Sequence, residues 1–530
     1  MSVTPSEAIR TGRTTLGIEL GSTRIKACLV GSDDPSLVLA VGEHEWQNEL
    51  VDGRWSYSLD DVWTGIQAAF AGLTADALGR HGERPTTFAA IGVSAMMHGY
   101  LAFDAQDELL VPFRTWRNTS TGPAAAELTQ AFGVNIPLRW SIAHLHQAVL
   151  DAEPHVPNVH FVTTLAGYVH WQLTDSRVLG VGDASGMFPI GADGLGYDAE
   201  LLSRYDELAG DRLPRKLVEL LPEVLVAGQS AGELTARGAA LLDPSGALAP
   251  GILACPPEGD AGTGMVATNS IAPRAGNVSA GTSIFAMVVL ERPLAAVHEE
   301  LDVVTTPAGD PVAMVHCNNG ASELAAWVAI FRRFAEAAGT PVSQDAAYAA
   351  LLTEALQGAP DAGGVLAYNQ LAGEPIAGLS EGRPLVVRTN DSDFSLANLM
   401  RAQVYGVFAT LSLGMAVLDE EDVRLDKMFA HGGVFRTAGV AQSLLAAALR
   451  VPVSTAETAS EGGPWGMAVL ASYAASGAGI PLADYLQQQV FRDTAFTVAE
   501  PGPADVAGFT AYLDRYRAGL AIERTAAQTI

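Results

Sequence analysis

The chain has 530 residues, 48% of them hydrophobic and 17% charged, which is enough apolar material for two large α/β domains or three to four smaller units. Its 31 Lys and Arg residues against 59 Asp and Glu residues leave a net charge of −28, which argues against nucleic acids and anionic membranes as partners. The three cysteines are scattered, which predicts neither a disulfide framework nor a zinc site. The N-terminus is polar and no apolar run reaches about 20 residues, which predicts neither a signal peptide nor a membrane span. We therefore expect a cytoplasmic protein.

The first strong pattern lies at residues 15–30, TLGIELGSTRIKACLV. Apolar residues alternate on both sides of Gly21-Ser22-Thr23, which predicts two strands joined by a tight turn. A glycine in such a turn lets backbone N–H groups point at a phosphate, and the neighbouring hydroxyls add further donors. Taken alone, such a turn is more often a plain hairpin connection.

Strands and helices alternate from this segment to about residue 260. Residues 60–78 read as an amphipathic helix that Asp60 could cap, and residues 89–95 as a strand, followed by MMHG and a second strand. This alternation predicts an α/β domain.

The first pattern recurs 260 residues later, in NVSAGTSIFAMVV at residues 277–289. Its turn is Gly281-Thr282-Ser283, again with apolar alternation on both sides. The repetition predicts an internal duplication with one phosphate-facing hairpin in each domain. A nucleotide bound between two domains would need a phosphate-binding turn from each of them.

The second half continues with helical patterns and one strand that ends in glycines. His431-Gly432-Gly433 closes an apolar strand before a helix, where backbone can approach a ligand closely; an ordinary strand-to-helix turn is the alternative. We predict helices at 321–338, 396–418, 442–449 and 466–476, a strand at 428–433, and a largely helical tail at 481–530.

Asp260 is the one carboxylate in the glycine-rich stretch Gly259–Gly264. Transfer of a phosphoryl group to an alcohol requires a group that accepts the hydroxyl proton, and an Asp in a partly dry site suits this role. The alternative is an Asp that caps the following helix, and both roles are compatible.

Two other patterns point to different chemistry. Gly228-Gln229-Ser230-Ala231-Gly232 fits the nucleophile elbow of serine hydrolases, with His316 and His431 downstream as bases. Residues 262–267 fit a loose dinucleotide-binding pattern but follow two prolines and a Glu instead of leaving a strand directly. The chain contains no Gly-Lys dipeptide, which excludes a P-loop.

Together, these segments resemble the FGGY carbohydrate kinases of the actin-like ATPase superfamily, and among them the xylulose kinases. The likeness runs from about residue 14 to residue 480 and rests on seven segments in the family's order: TLGIELGSTRIKACLV, SAMMHGYLAFD with VPFRTWRNTST, GDASGMF, GDAGTGMVATN, NVSAGTSIF, HGGVFRTAGVAQ and GGPWGMAVLA. The resemblance implies an α/β fold of two actin-like (ribonuclease H-like) domains with the active site in the cleft between them. It divides the chain into an N-terminal kinase domain at 14–270, a C-terminal one at 271–480 and a helical segment at 481–530.

The resemblance also implies roles for individual residues. Asp260 would be the general base, and Glu19 would hold Mg2+ through water. The sugar would contact Asp260 together with Met97, His98 and Trp116. ATP would be bound by Gly21, Ser22, Thr23, Gly281, Thr282, Gly432 and Gly433.

Several residues depart from the family pattern. The family usually has Asp where Glu19 stands, Gln at Met96, an acidic residue at Asn118, Gln at Ala261, Gly at Val434 and Glu at Tyr405. We therefore expect a distinct subgroup that phosphorylates a terminal hydroxyl of a ketopentose.

D-Xylulose is the first choice of substrate. Alternative substrates are L-ribulose, another ketose or a polyol. Alternative functions are a serine hydrolase that uses Ser230 and a sugar sensor without catalysis. The expected partners are the sugar and ATP, without nucleic acid or membrane, and a homodimer is compatible with this interpretation.

Overall fold

The computed structural model describes residues 3–437, 439–456, 462–477 and 479–529, which form two compact units. Unit 1 comprises Met1–Ile271, Val303–Val312 and Thr458–Thr494, and unit 2 comprises Ala272–Asp302, Ala313–Glu457 and Ala495–Ile530. The units are therefore not consecutive ranges, whereas the predicted domains are. The two units therefore do not test the domain boundaries at residues 270 and 480, which stay a prediction.

The sheet of unit 1 is built around an antiparallel pair of strands that we call the first hairpin. Its strands are Thr14–Leu20 and Arg24–Gly31, and Thr14–Leu20 also pairs in parallel with Ala90–Ala95. The strand order is Leu253–Ala254, Ala90–Ala95, Thr14–Leu20, Arg24–Gly31 and Val38–Glu45, and Glu258–Gly259 extends the pairing of Ala90–Ala95. The hairpin predicted at 15–30 and the strand predicted at 89–95 are thus confirmed.

Helices cover this sheet and carry the segments between its strands. The helix predicted at 60–78 spans Leu59–His81, but its cap is Ser58, whose hydroxyl accepts a hydrogen bond from the Asp61 N–H at 3.0 Å. Asp60 was therefore the wrong choice of cap and lies in the first turn instead. The other helices of eight or more residues are Gly122–Phe132, Ser141–Leu150, Leu165–Thr174, Ala199–Ala209, Asp260–Ala267 and Gly463–Ser476; shorter ones are Pro5–Thr11, Val181–Ala184, Leu217–Leu220, Ala236–Leu242 and Leu482–Tyr485.

The helix Gly463–Ser476, predicted at 466–476, packs directly on the first strand of the first hairpin. The contact is backbone to backbone, since a Cβ added to Gly17 would lie 2.1 Å from the Pro464 carbonyl oxygen. The Thr15 hydroxyl donates to the Ala468 carbonyl at 3.0 Å. This helix lies within the predicted C-terminal domain at 271–480 but belongs to unit 1 by contact.

The sheet of unit 2 repeats the topology of unit 1. The strands Ala275–Ala280 and Ile284–Val289 form an antiparallel second hairpin, and Ala275–Ala280 pairs in parallel with Lys427–His431. The strand order is Asp302–Thr305, Pro311–Cys317, Ile284–Val289, Ala275–Ala280, Lys427–His431, Val453–Ala456 and Phe496–Ala499. The internal duplication inferred from the two turns is confirmed at the level of topology.

Long helices pack against this second sheet. The predicted helices are present as Ser322–Ala337, Leu396–Glu420 and Val440–Leu449, with Gln344–Ala355 in addition. The tail is largely helical, as predicted, with Leu482–Tyr485, a π-helical turn at Leu486–Val490 and the 27-residue helix Pro503–Thr529, and it also contains one strand, Phe496–Ala499. Among the described residues, Leu396–Glu420 alone is long and apolar enough to cross a bilayer by length and composition, and 78% of its apolar window is buried within the structure.

Candidate active site

The turn of the first hairpin is tight and exposes its residues at the end of the strands. The Gly21 N–H donates to the Arg24 carbonyl at 3.0 Å, which closes the turn. Gly21 and Ser22 are half-buried, and Thr23 is exposed. A backbone of this shape presents N–H groups at its tip, as an anion-binding turn requires.

Asp260 lies at the first position of the helix Asp260–Ala267, in the same unit as this turn. One carboxylate oxygen accepts a hydrogen bond from the Met97 N–H at 3.2 Å. Desolvation by the surrounding protein raises the pKa of Asp260 to about 6, against the lowering effect of the backbone N–H groups, although the residue is exposed to solvent. At neutral pH Asp260 is therefore ionised and still basic enough to accept a proton.

Glu19 is the penultimate residue of the strand Thr14–Leu20, which leads into the first turn, and it is coupled electrostatically to Asp260. Burial and the charge of Asp260 raise the pKa of Glu19 to about 7, and Lys26 lowers it. A Cβ on Gly463 would lie 1.8 Å from the nearer Glu19 carboxylate oxygen, so the helix Gly463–Ser476 begins directly against this side chain.

The carboxylates of Glu19 and Asp260 fit a magnesium site of the usual kinase type. Among the residues that the structure describes, no group of three or more His, Cys, Asp or Glu side chains could hold a metal ion by itself. Mg2+ in phosphoryl-transfer enzymes needs only one or two carboxylates, because water and the substrate's phosphates complete its coordination. Burial, and after it the charge of Asp260, raises the pKa of Glu19, and a bound cation would favour the ionised form of both carboxylates.

Met97 and His98 connect Asp260 to the Gly182–Phe188 segment. The His98 Nδ1 lies 3.2 Å from the Gly186 carbonyl oxygen, and its ring stacks on Trp140 at 6.4 Å between centroids. A Cβ on Gly186 would lie 2.6 Å from the His98 Nδ1, so only glycine fits there. The structure thus brings two predicted sugar residues, Met97 and His98, together with Asp260.

Trp116, the third predicted sugar residue, packs against the apolar core of unit 1. The Arg117 guanidinium carbon lies 5.9 Å from the Trp116 ring centroid and 4.8 Å from that of Trp55. The role of Trp116 in sugar binding stays a prediction.

The departure at Asn118 has a structural reason. The Asn118 side chain accepts a hydrogen bond from the Trp55 N–H at 2.8 Å and donates to the Trp55 carbonyl at 2.9 Å. An Asp could not donate the second bond. Asn118 therefore holds the short strand Arg54–Ser56 in place.

Tyr405, in unit 2, is likewise a packing residue. Its hydroxyl donates to the Pro360 carbonyl at 2.9 Å and accepts a hydrogen bond from Arg401 at 3.1 Å. Its ring lies fully buried against Phe509 of the C-terminal helix. The residue therefore secures that helix to the core of unit 2.

Two buried carboxyl groups that sequence reasoning missed lie behind Asp260. Glu258 accepts a hydrogen bond from the Asp183 N–H at 3.0 Å, and Asp183 accepts one from the Thr164 hydroxyl at 2.6 Å. Burial raises the pKa of both, to about 8 for Glu258 and about 7 for Asp183. The GDASG motif signals the position of Asp183, but nothing in the sequence indicates that Glu258 is buried beside it.

These raised pKa values predict how stability depends on pH. Between about pH 4 and pH 8 the folded chain retains protons that the unfolded chain has lost, so the free energy of unfolding falls as the pH rises. Replacing Asp183 by Asn removes one of these protons and should flatten the fall by up to about 1.4 kcal/mol per pH unit. Denaturant unfolding at pH 5, 6, 7 and 8 measures the two slopes, and identical slopes would contradict the assignment.

The turn of the second hairpin lies beside the glycines that end the strand Lys427–His431. A Cβ on Gly432 would lie 2.3 Å from the Ala280 carbonyl oxygen, and the φ of Gly432 is +110°. Gly281, Thr282, Gly432 and Gly433 are all exposed. Unit 2 thus brings all of its predicted nucleotide-binding residues together at the ends of the neighbouring strands Ala275–Ala280 and Lys427–His431.

Ser230 lacks the geometry of a nucleophile elbow. It is exposed in a turn, its hydroxyl accepts a weak 3.4 Å hydrogen bond from the Gly232 N–H, and the next helix begins only at Ala236. A nucleophile elbow requires the serine at a sharp turn from a strand directly into a helix. The structure therefore gives no support to the hydrolase alternative.

Comparison with protein families found two matches that together cover most of the chain. Residues 14–244 match the N-terminal domain of the FGGY family of carbohydrate kinases, and residues 276–475 match its C-terminal domain. No curated protein sequence matched the chain.

Solved structures show the same fold at low sequence identity. A xylulose kinase from Brucella ovis is 19% identical with a TM-score of 0.76, over 96% of this chain and 99% of that one. A ligand-bound xylulose kinase from Lactobacillus acidophilus is 17% identical with a TM-score of 0.77, over 97% and 99%. A gluconate kinase from the same organism is 17% identical with a TM-score of 0.75, over 97% and 99%.

Proposed function

Since the chain belongs to the FGGY family of carbohydrate kinases, a family of sugar phosphotransferases that use ATP, we propose that it phosphorylates a terminal hydroxyl of D-xylulose. One observation supports this most. Met97 is hydrogen-bonded to Asp260, and its neighbour His98 is hydrogen-bonded to Gly186 of the GDASG segment and packs closely against it. Similarity to xylulose kinases favours the same sugar.

In this proposal Asp260 is the general base. Its carboxylate, held by the Met97 N–H, accepts the proton of the sugar hydroxyl as that oxygen attacks the terminal phosphorus of ATP. A pKa of about 6 leaves the group ionised at neutral pH and able to take up a proton in the transition state. Because most of the rate in phosphoryl transfer comes from positioning and electrostatics, Met97 and His98 contribute by orienting the sugar.

The nucleotide would be bound by residues at the two turns and by the glycines that follow the strand Lys427–His431. We assign the phosphates to Gly21, Ser22, Thr23, Gly281 and Thr282, and the adenosine to Gly432 and Gly433. Glu19 would hold Mg2+, which when bound neutralises the charge that develops on the phosphate oxygens. The cleft between the two domains, a cytoplasmic location and the lack of nucleic-acid or membrane partners stay predictions, and a homodimer is compatible with them.

A sugar panel tests the substrate. We expect coupled ADP release to show the highest kcat/KM with D-xylulose, compared with L-ribulose, other ketopentoses, glycerol and gluconate. A higher kcat/KM for L-ribulose, another ketose or a polyol would move the assignment to that sugar. Binding of sugar without ADP release would instead indicate a sensor, and labelling of Ser230 by a fluorophosphonate would revive the hydrolase alternative.

A further inference from the structure

Every carbonyl oxygen in the first turn accepts a hydrogen bond from the protein. The Gly21 carbonyl accepts one from the Trp46 indole N–H at 2.7 Å, and the Ser22 carbonyl accepts one from the Tyr57 hydroxyl at 2.7 Å. The Thr23 carbonyl accepts one from the Trp46 backbone N–H at 3.2 Å. Two aromatic residues, far from the turn in sequence, therefore hold all three peptide groups.

Holding these carbonyls also sets the direction of the N–H groups. In a trans peptide, the carbonyl of one residue and the N–H of the next point in opposite directions. The bond from Trp46 to Gly21 therefore directs the Ser22 N–H away from the aromatic pair, and the bond from Tyr57 to Ser22 does the same for the Thr23 N–H. In the described part of the chain, neither of these two N–H groups donates to a protein acceptor, so both stay available to an anion.

The aromatic pair is rigid enough to act in this way. The rings of Trp46 and Tyr57 stack at 4.2 Å between centroids, and the two residues are only 6% and 2% exposed. Burial raises the pKa of Tyr57, which keeps its hydroxyl a donor throughout the neutral range. A flipped peptide would leave a buried donor without a partner, at a cost of about 1–3 kcal/mol.

The turn of the second hairpin has its carbonyls held in the same manner by different donors. The Thr282 carbonyl accepts a hydrogen bond from the Gly320 N–H at 2.7 Å, and the Gly281 carbonyl accepts one from the Ala321 N–H at 2.8 Å. A Cβ on Gly320 would lie 2.5 Å from the Gly281 oxygen, so the approach requires glycine. Corresponding carbonyls of the two turns, Gly21 with Gly281 and Ser22 with Thr282, are thus held by unrelated donors, which supports a role for fixed peptide groups in both turns.

We propose that Trp46 and Tyr57 are positioning residues that orient the Ser22 and Thr23 N–H groups toward the phosphoryl group in transfer. This inference rests on the proposed role of the first turn in phosphate binding. It predicts that Trp46 and Tyr57 affect ATP binding and the rate of phosphoryl transfer but do not affect sugar binding.

The test compares two Tyr→Phe variants that each remove one hydroxyl from the core of unit 1. Tyr57→Phe deletes the bond to the turn, whereas Tyr168→Phe, the control, deletes a hydroxyl that accepts a 3.2 Å hydrogen bond from Trp63. We expect Tyr57→Phe to lower kcat/KM for ATP by about 10-fold or more, since one lost transition-state donor costs about 10²- to 10³-fold and this loss is indirect. The KM for sugar should stay within twofold for both variants, and Tyr168→Phe should keep the wild-type kcat/KM for ATP.

The outcomes separate this inference from the proposed function. If Tyr57→Phe matches Tyr168→Phe in ATP kinetics while Gly21→Val, which obstructs the turn itself, impairs them, the positioning inference is wrong and the phosphate turn stands. If Gly21→Val also leaves the KM for ATP and kcat unchanged, the phosphate site is wrong. Circular dichroism melts of each variant show whether it is folded, and Trp46→Phe, which removes the indole donor, provides an independent second measurement of the same effect.

Discussion

Asp260→Asn is expected to lower sugar-dependent ADP release by about 10²- to 10⁴-fold, which is the usual contribution of a general base. The substitution keeps the shape of the side chain and an oxygen that can accept the Met97 N–H, now 3.2 Å from the carboxylate. It removes the negative charge and with it the ability to accept a proton, and it leaves the residues assigned to the nucleotide unchanged. We therefore expect the Kd for ATP, measured by isothermal titration calorimetry, to change by less than about threefold.

The pH profile of the wild-type enzyme provides a second measure of the same assignment. Because burial raises the pKa of Asp260 to about 6, kcat/KM for the sugar should fall as the pH drops through this value and should level off above it. In Asp260→Asn the residual activity should lack this step.

The matched control is Asp198→Asn, at the start of another helix of unit 1. Asp198 caps the helix Ala199–Ala209 by accepting the N–H groups of Glu200 and Leu201 at 2.9 and 3.0 Å. Asn is an equally good cap, so this variant should keep full activity. Wild-type turnover in Asp260→Asn would reject the assignment of the base.

Gly17→Ala is expected to destabilise unit 1 by about 3 kcal/mol or more, the range of severe overpacking. A Cβ at this position would lie 2.1 Å from the Pro464 carbonyl oxygen and 2.4 Å from the Ala468 nitrogen. Both atoms are backbone of the helix Gly463–Ser476, which cannot yield as a side chain could. The strand and the helix would have to separate, and this should also disturb Glu19, two residues further along the strand.

Thermal unfolding followed by circular dichroism measures the effect as a fall in the midpoint of the first transition. Gly79→Ala is the control, since an added Cβ there lies in open space inside the helix Leu59–His81. Alanine favours a helix over glycine by about 0.5–1 kcal/mol, so this variant should be slightly more stable than the wild type. A midpoint for Gly17→Ala equal to that of Gly79→Ala would contradict the close packing of strand and helix.

The elements whose signals are local could be predicted from the sequence. Both hairpins, the helix behind Asp260 and the strand that ends at His431 follow from apolar alternation next to glycine turns, and the structure forms each of them. The positions of Gly21, Gly281 and Asp260 within these elements follow from the same patterns. The prediction that Asp60 caps the helix Leu59–His81 was wrong, because Ser and Asp cap helices about equally well and Ser58, two residues earlier, is the cap.

By itself, the sequence determined the repeated hairpins, the acid at the head of a helix and the resemblance to a kinase family, because each depends on residues that are neighbours along the chain. Only the tertiary structure decided which distant groups meet: Trp46 and Tyr57 on the first turn, Gly320 on the second, Asp183 on Glu258, and the helix Gly463–Ser476 against Gly17. In each of these contacts at least one partner is a backbone carbonyl, a backbone N–H group or a glycine without a side chain, which residues of any pattern can provide. No residue pattern marks them, so they become visible only when the folded chain brings them together.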